Sequence, residues 1–463
     1  MNNKKFNNII IKRGIIILVC ILVVAYIGTA IYFKNHFYLG SKINGVNVSG
    51  MTVEEVENLM ASKFQSYSLT LEERNNQNEV ITANDISLTY DSSGKIREFK
   101  DNQSSLGWIL GIFKNKSTEL TDLISYDKSE LNTKLSNLKG VASKDVVKPK
   151  SASVQYIDGE FQVVDEVQGN EINLDKLTTE VDNAIMNSNE TLNLDNADCY
   201  NKSKYVSTDS EVSDAKEKLQ KYASSSITYT FGPDGEENLD GSEISKWLST
   251  DEDLNVDFNT AKVKKYVLNL ANKYNTSSNY RNFTTTAGNV VKVVPGDYGW
   301  RIDVNSETED LISNIEDGQT ITKEPKYLQK AAKRGSSDIG DTYVEVNIPQ
   351  QHIWFYKDGA LVVDSDVVTG NVSAGNGTPE GVYVLKYKEK DSTLKGEDYE
   401  TPVSYWMPFN GGVGFHDAYW RDAFGGTIYQ TAGSHGCVNC PTEVAKALFE
   451  NIQAGTPVIV YGK

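Results

Sequence analysis

One cysteine, the glycine before it and two nearby histidines carry the reactive chemistry this sequence can offer. Toward the C-terminus the chain reads Phe415-His416-Asp417-Ala418-Tyr419-Trp420, then, fourteen residues on, Ser434-His435-Gly436-Cys437-Val438-Asn439. A thiol becomes a nucleophile when a base takes its proton or a positive surrounding holds the thiolate. A glycine beside it lets backbone N–H groups close on the oxyanion of a tetrahedral intermediate. The pattern therefore reads as acyl transfer, with Cys437 as nucleophile, His416 as general base and Gly436 beside the oxyanion. His435 is either an oxyanion helper or a structural hydrogen-bonder. Tyr419 and Trp420 suit the wall of a substrate cleft, and Ser434, Asn439 and Asp417 complete the candidate substrate contacts. A cysteine in a β domain can be no more than a small core residue, but this one lies in a polar, glycine-flanked segment with two histidines in range.

Cys437-x-x-Cys440 is also a redox spacing, and with His416 and His435 it can be drawn as a zinc site. No thioredoxin-like βαβ pattern surrounds it, and a metal-bound Cys437 could not attack a carbonyl. The expectation is no metal and no cofactor, with Cys440 a buried thiol just before Pro441, where proline suits a first helical turn. His352, between strand residues, reads as structural.

These groups need a rigid frame, and residues 343–463 read as a small, mostly β domain. Tyr343–Ile348, His352–Tyr356, Leu361–Thr369, Gly381–Lys388 and Val458–Tyr461 are strand-like, and helical periodicity appears only at Val444, Leu448 and Ile452. Upstream the chain is a diffuse duplication. Gly169 to Ile172 and Gly299 to Ile302 are both Gly-x-x-Ile, followed by apolar residues at four-residue steps: Leu177, Val181, Ile185 in one copy, Leu311 and Ile315 in the other. Tyr126-Asp127 with Leu131 and Leu135 likewise matches Phe258-Asn259 with Val263 and Val267. The offset is about 130 residues, too long and too few for a solenoid. The expected organisation is two α+β repeats at 44–205 and 210–328, the first with an insertion near Asp101–Thr121, then a polar, Gly- and Ser-bearing linker at 329–342.

The N-terminus sets the compartment. Residues 1–13 hold Lys4, Lys5, Lys12 and Arg13 and no acid, and Gly14 to Phe33 is a continuous apolar run. Twenty such residues span roughly 30 Å as a helix, a bilayer core. The positive flank predicts a cytoplasmic tail and an outward-facing remainder, and the run is longer than the roughly 7–15 apolar residues of a cleaved signal. The net charge is −17, or −21 outside the +4 tail, which excludes nucleic acid held by charge. Four cysteines in an exported chain of 463 residues are not a disulfide scaffold.

The His416 and Ser434-His435-Gly436-Cys437-Val438-Asn439 pattern resembles that of the L,D-transpeptidases of bacterial cell walls. Gly377-Thr378-Pro379-Glu380-Gly381 is similar to the family's Thr-Pro-x-Gly turn, and Gly455-Thr456-Pro457-Val458 to its closing strand. The two repeats resemble the peptidoglycan-binding modules often placed before that domain. The resemblance implies a β-sandwich-like fold with the cysteine in a cleft under a flap. It implies that Cys437 attacks the third residue of a donor tetrapeptide stem and expels the terminal D-Ala, after which an acceptor amine forms a 3-3 cross-link. By the same resemblance the main chain at residue 417 orients the imidazole, and the N–H groups of Gly436 and Cys437 hold the oxyanion. Asn439 stands where many members have Arg. The expected partners are peptidoglycan stem peptides and the cell membrane. Two alternatives stay open here: an L,D-carboxypeptidase, in which water replaces the amine, and a wall-binding scaffold without activity. A cysteine peptidase of the Cys-then-His order is disfavoured, because the base precedes the nucleophile.

Overall fold

The computed structural model describes residues 3–113, 117–396 and 400–462. The chain divides into two compact units, 1–153 with 164–207, and 154–163 with 208–463.

In the first unit a helix runs from Asn3 to Asn35. Its stretch Asn8–Asn35 has mean hydropathy 2.8 and is long and apolar enough to cross a membrane. Helix Val53–Gln65 follows, its N-terminus closed by a reciprocal bond pair between Thr52 and Glu55. Val56, Met60, Phe37 and Ile43 make a small core against it. Strand Ser68–Glu72 then pairs antiparallel with Asn78–Thr82 and parallel with Thr191–Asn193. Helices Lys128–Ser136 and Leu174–Met186 bury Leu131, Leu135, Leu177, Val181 and Ile185 beneath that sheet.

The second unit repeats the arrangement. Ser226–Thr230 pairs antiparallel with Glu236–Leu239 and parallel with Thr320–Lys323. Helices Thr260–Tyr274 and Val304–Glu316 bury Val263, Val267, Leu311 and Ile315. Asp127, Asn173, Asn259 and Asp303 cap the four helices alike, each side chain accepting from the backbone of the first turn. The helices match about 130 residues apart and the first strands about 158 apart, so repeat one is longer by roughly one inserted segment. Helices Lys95–Asp101 and Trp108–Phe113 lie in this part of repeat one, the second of them within the span Asp101–Thr121 where an insertion was expected.

Two segments pack in ways the sequence does not show. The hairpin Ser153–Ile157 with Glu160–Val164 lies within the span expected for repeat one, and its residues 154–163 pack with the second unit, where Phe161 N–H donates to Gln220 Oε1 at 2.9 Å. The polar segment 329–342 is no free tether. Ala331, Asp338 and Ile339 are buried in it. Asp338 pairs with buried Arg281 through two bonds of 2.8 Å, and Arg334 lies 4.0 Å over the Trp300 ring. It is a packed strap.

The C-terminal domain stacks two sheets. One has five strands in the spatial order Ala360–Asp366, His352–Lys357, Tyr343–Asn347, Pro457–Tyr461, Gly381–Val384. The other has four: Glu389–Lys395, Glu400–Asn410, Val413–Asp417 and Val438–Cys440. Val344, Phe355, Phe409, Phe415 and Val458 fill the space between them, with Ala445 and Leu448 from helix Thr442–Asn451. This is the expected mixed, sheet-rich fold. The strands Glu389–Lys395 and Glu400–Asn410 and the short helix Ile428–Ala432 went unread, because none has a clear apolar period.

Candidate active site

Strand pairing alone brings the base to its neighbours. Val413–Asp417 and Val438–Cys440 run parallel, with His416 opposite Asn439. Side chains alternate across a strand, so Phe415, Val438 and Cys440 enter the core while His416 and Asn439 share the other face. Cys437 packs apart from Cys440, against Val403 and Trp406. The two thiols therefore lie in different apolar clusters.

His416 is buried, 4% exposed. Its Nδ1 is 2.9 Å from the carbonyl oxygen of Asp417, and its Nε2 is 2.9 Å from Asn439 Nδ2. A carbonyl can only accept, so Nδ1 carries the proton and Nε2 holds the lone pair. The far end of the amide is fixed as well: Arg421 Nε donates to Asn439 Oδ1 at 2.8 Å, and its Nη1 to the Ala432 carbonyl at 2.9 Å. A guanidinium can only donate, which turns Asn439 Nδ2 toward the imidazole. Burial first, and the Arg421 cation as a lesser cause, hold the imidazole below its ordinary pKa of 6.5, against the opposing pull of the Asp417 carbonyl and carboxylate.

The Cys437 thiol is 3.5 Å from the Gly412 carbonyl. Burial pushes it up to about 11, against a smaller lowering by the Gly414 backbone N–H. Nucleophile and base are thus both neutral at rest. The loop before the cysteine is tied from two sides. Ser434 Oγ donates to the Cys437 carbonyl at 2.5 Å and accepts from Gly436 N–H at 3.0 Å. Thr378 Oγ1 donates to the Gly436 carbonyl at 2.7 Å and accepts from Gly370 N–H at 2.9 Å. Gly436 has φ +123, and a Cβ there would also stand 3.2 Å from Val413, so glycine is required.

A cleft of about 400 Å3 opens over Cys437 and His416. Strands Glu389–Lys395 and Glu400–Asn410 line it with Leu394, Glu400, Thr401 and Pro402. Tyr419, Trp420 and His435 line it from the other side. The Trp420 ring stacks 5.9 Å from the imidazole, with Tyr419 edge-on to it at 5.0 Å.

All nine expected site residues converge here, but four face differently from the expectation. Asn439, 2% exposed, borders the cleft but has both ends of its amide engaged, bridging His416 and Arg421. The Asp417 carboxylate is buried and accepts from the backbone of Ser404 and Tyr405 at 2.8 and 2.9 Å. The Ser434 hydroxyl is taken up by its own loop, and it occupies the Gly436 N–H that was expected at the oxyanion. Arg421 was missed, although it is the sole Arg or Lys between His416 and Cys437. Thr378 was read only as part of a turn.

A family model for the L,D-transpeptidase catalytic domain matches residues 341–460. A second, for a candidate peptidoglycan-binding domain, matches 79–193 and again 205–322. No curated protein matches the chain. Among solved structures, a cysteine-to-serine mutant of Enterococcus faecium L,D-transpeptidase is 40% identical over 53% of this chain and 98% of that one, with a TM-score of 0.44. The catalytic domain of E. faecium L,D-transpeptidase acylated by ertapenem is 47% identical over 26% of this chain and 98% of that one, TM-score 0.25. An L,D-transpeptidase from Stackebrandtia nassauensis is 30% identical over 29% and 60%, TM-score 0.23.

Proposed function

The chain belongs to the L,D-transpeptidase family, and from that premise we propose that it cross-links peptidoglycan through a Cys437 thioester, with His416 as the general base. The observation that carries this reading is that His416 and Cys437 line one cleft, with Nδ1 fixed as the donor to the Asp417 carbonyl so that Nε2, which accepts from Asn439 at rest, is the basic nitrogen. In the acylation step the Sγ–H proton passes to Nε2 as sulfur attacks the carbonyl of the third stem residue. Collapse of the tetrahedral intermediate breaks the bond to the terminal D-residue, whose amine leaves with the proton from the imidazolium. In the second step the acceptor amine attacks the thioester and gives its proton to Nε2. The thiolate leaves and takes that proton back. Because both partners are neutral at rest, the thiolate exists only as its proton moves.

The helix Asn3–Asn35 anchors the chain in this reading, with the tail cytoplasmic and the catalytic domain at the wall. The test is direct. Ectodomain lacking that helix, incubated with purified tetrapeptide muropeptides, should yield a dimer weighing two monomers less one D-alanine. Tripeptide alone would assign the protein to the carboxypeptidases instead, and no product at all would sink both readings.

Arg421 and Asn439 act as positioning residues for the base. An amide donor on Nε2 favours the neutral imidazole over the imidazolium, and the nearby guanidinium does the same through charge. The base works in its neutral form, so acylation falls as pH drops through the lowered His416 pKa. Arg421→Ala removes the cation and frees the amide to turn its oxygen to the ring. Both changes raise the His416 pKa, so the acid limb of kcat/KM should move to higher pH, with Arg421→Lys in between. An acid limb that stays where the wild type has it removes Arg421 from this role.

A further inference from the structure

The two repeats differ in the connection between two short paired strands. In repeat two, residues 251–255 join strand Leu248–Thr250 to strand Val256–Phe258. In repeat one the equivalent pair, Thr89–Tyr90 and Ile124–Ser125, is joined by residues 91–123. The repeat that directly follows the apolar helix is the one that carries this insertion. From Asn102 to Phe113 it holds no charged residue, in a chain of which 24% is charged. The turn Ser105–Gly107 and helix Trp108–Phe113 occupy that stretch.

The insertion turns back onto the apolar helix. The Trp108 ring lies 5.9 Å from that of Tyr26 and 5.8 Å from that of Phe33, and the Tyr26 hydroxyl donates to the Leu106 carbonyl. Phe33 packs edge-on to Tyr38 at 5.7 Å, and the Tyr38 hydroxyl donates to the Ser104 carbonyl. A Cβ at Gly111 would run into the Tyr38 ring, so glycine lets the segment come this close. Tyr26 stands about 14 Å along the axis from the helix end at Asn35, at a rise of 1.5 Å per residue. The contact therefore falls inside the stretch Asn8–Asn35 that is long and apolar enough to cross a membrane. Around it the segment turns apolar side chains outward: Leu106 is 63% exposed, Ile109 43%, Leu110 69% and Phe113 82%.

We propose that residues 105–113 are a second membrane contact, seated among the lipids of the outer leaflet beside the crossing helix. The proposal rests on the reading of helix Asn3–Asn35 as the anchor, and position then names the occupant. A crossing helix is covered by lipid on its exposed face, here Leu22, Ile27 and Ile31, so lipid reaches the segment that touches Tyr26 and Phe33. Exposed apolar side chains with no charge among them are destabilising in water and stabilised at the headgroup–acyl boundary, where interfacial helices sit about 5–10 Å deep. Trp and Tyr are the residues enriched at that level. A single crossing helix leaves repeat one free to swivel about its axis. A second contact, set off from that axis, gives the repeat one orientation on the membrane.

Photocrosslinking of the full chain, reconstituted in vesicles of phosphatidylglycerol and phosphatidylethanolamine, tests this. A photoreactive benzoylphenylalanine is placed at Leu22, Leu106, Leu110, Phe113 or Val290, one site per sample, and the adducts are read by mass. Leu22 reports the anchor, and Val290, an exposed apolar residue of repeat two, reports stray contact. Leu106, Leu110 and Phe113 should gain lipid as Leu22 does, and Val290 should gain none. Leu110→Asp combined with Phe113→Asp should remove the lipid adduct at Leu106 and leave the one at Leu22. Lipid at Leu22 with none at Leu110 and Phe113 overturns the proposal and leaves the anchor standing. So does an adduct at Leu110 that joins two copies of the chain in place of lipid, lipid at Val290 in equal yield, or lipid at Leu106 that survives the double substitution. No lipid at Leu22 defeats the anchored reading, and the second contact falls with it.

Discussion

Cys437→Ala should abolish cross-linking, lowering turnover by about three orders of magnitude or more, since nucleophile and base act as a unit. His416→Ala should cost nearly as much. Its loss leaves a thiol pushed up to about 11 with nothing to take its proton, so the reactive thiolate is scarce at neutral pH. A thiol that opens a stem carbonyl should also open a strained β-lactam, and the wild-type ectodomain is expected to gain the mass of one carbapenem on Cys437. Cys437→Ala should gain none. Cys440→Ser separates the two thiols. Cys440 is fully buried in the core between the sheets, so a hydroxyl there should lower stability by about 1–3 kcal/mol while the acylation rate of the folded fraction stays close to wild type. Turnover in Cys437→Ala, or a carbapenem adduct on Cys440, would break the assignment.

The candidate pair was legible because its determinants are local. Ser434 to Asn439 is six residues long, and the parallel partner strand bearing His416 is close in sequence. What escaped reading are partners that meet only through the fold. Asn439 looked like a substrate contact because nothing in the sequence says that the Arg421 side chain returns to it. The Ser434 hydroxyl looked free because its acceptor is a backbone carbonyl three residues on, which no residue type advertises. The duplication was visible where apolar residues keep a helical step, as at Leu177, Val181 and Ile185. The packing of the hairpin around Phe161 with residues beyond 208 was not, because that contact is made only through the fold. Thr378 shows the intermediate case: the turn was recognisable, but its hold on the Gly436 carbonyl spans 58 residues.

The strap 329–342 gives the second large effect. Its Gly and Ser content reads as a tether, and a tether would tolerate charge removal with no loss of stability. Asp338 is instead 5% exposed and Arg281 8%. The carboxylate takes Arg281 Nε and Nη2 and the Thr276 hydroxyl, at 2.8, 2.8 and 2.5 Å. The same guanidinium donates to the carbonyls of Asn279, Thr276 and Tyr298. Removing one partner of a buried pair leaves the other charge desolvated, at a cost of about 3–5 kcal/mol. Asp338→Ala is therefore expected to lower the stability of the second unit by that amount in urea unfolding. Lys330→Ala should change it by less than about 1 kcal/mol, because the Lys330–Glu324 pair is solvent-exposed. The strap also covers apolar surface: Ala331 and Ile339 share a cluster with Val293 and Trp300 of repeat two and with Val382, Ile459 and Tyr461 of the catalytic domain. Loosening it should thus expose residues from both domains at once. Hydrogen exchange in Asp338→Ala should rise together in strand Val290–Val293 and strand Pro457–Tyr461, which are otherwise distant in sequence. Exchange that rises in the strap alone, with unfolding unchanged, would return this segment to the status of a linker.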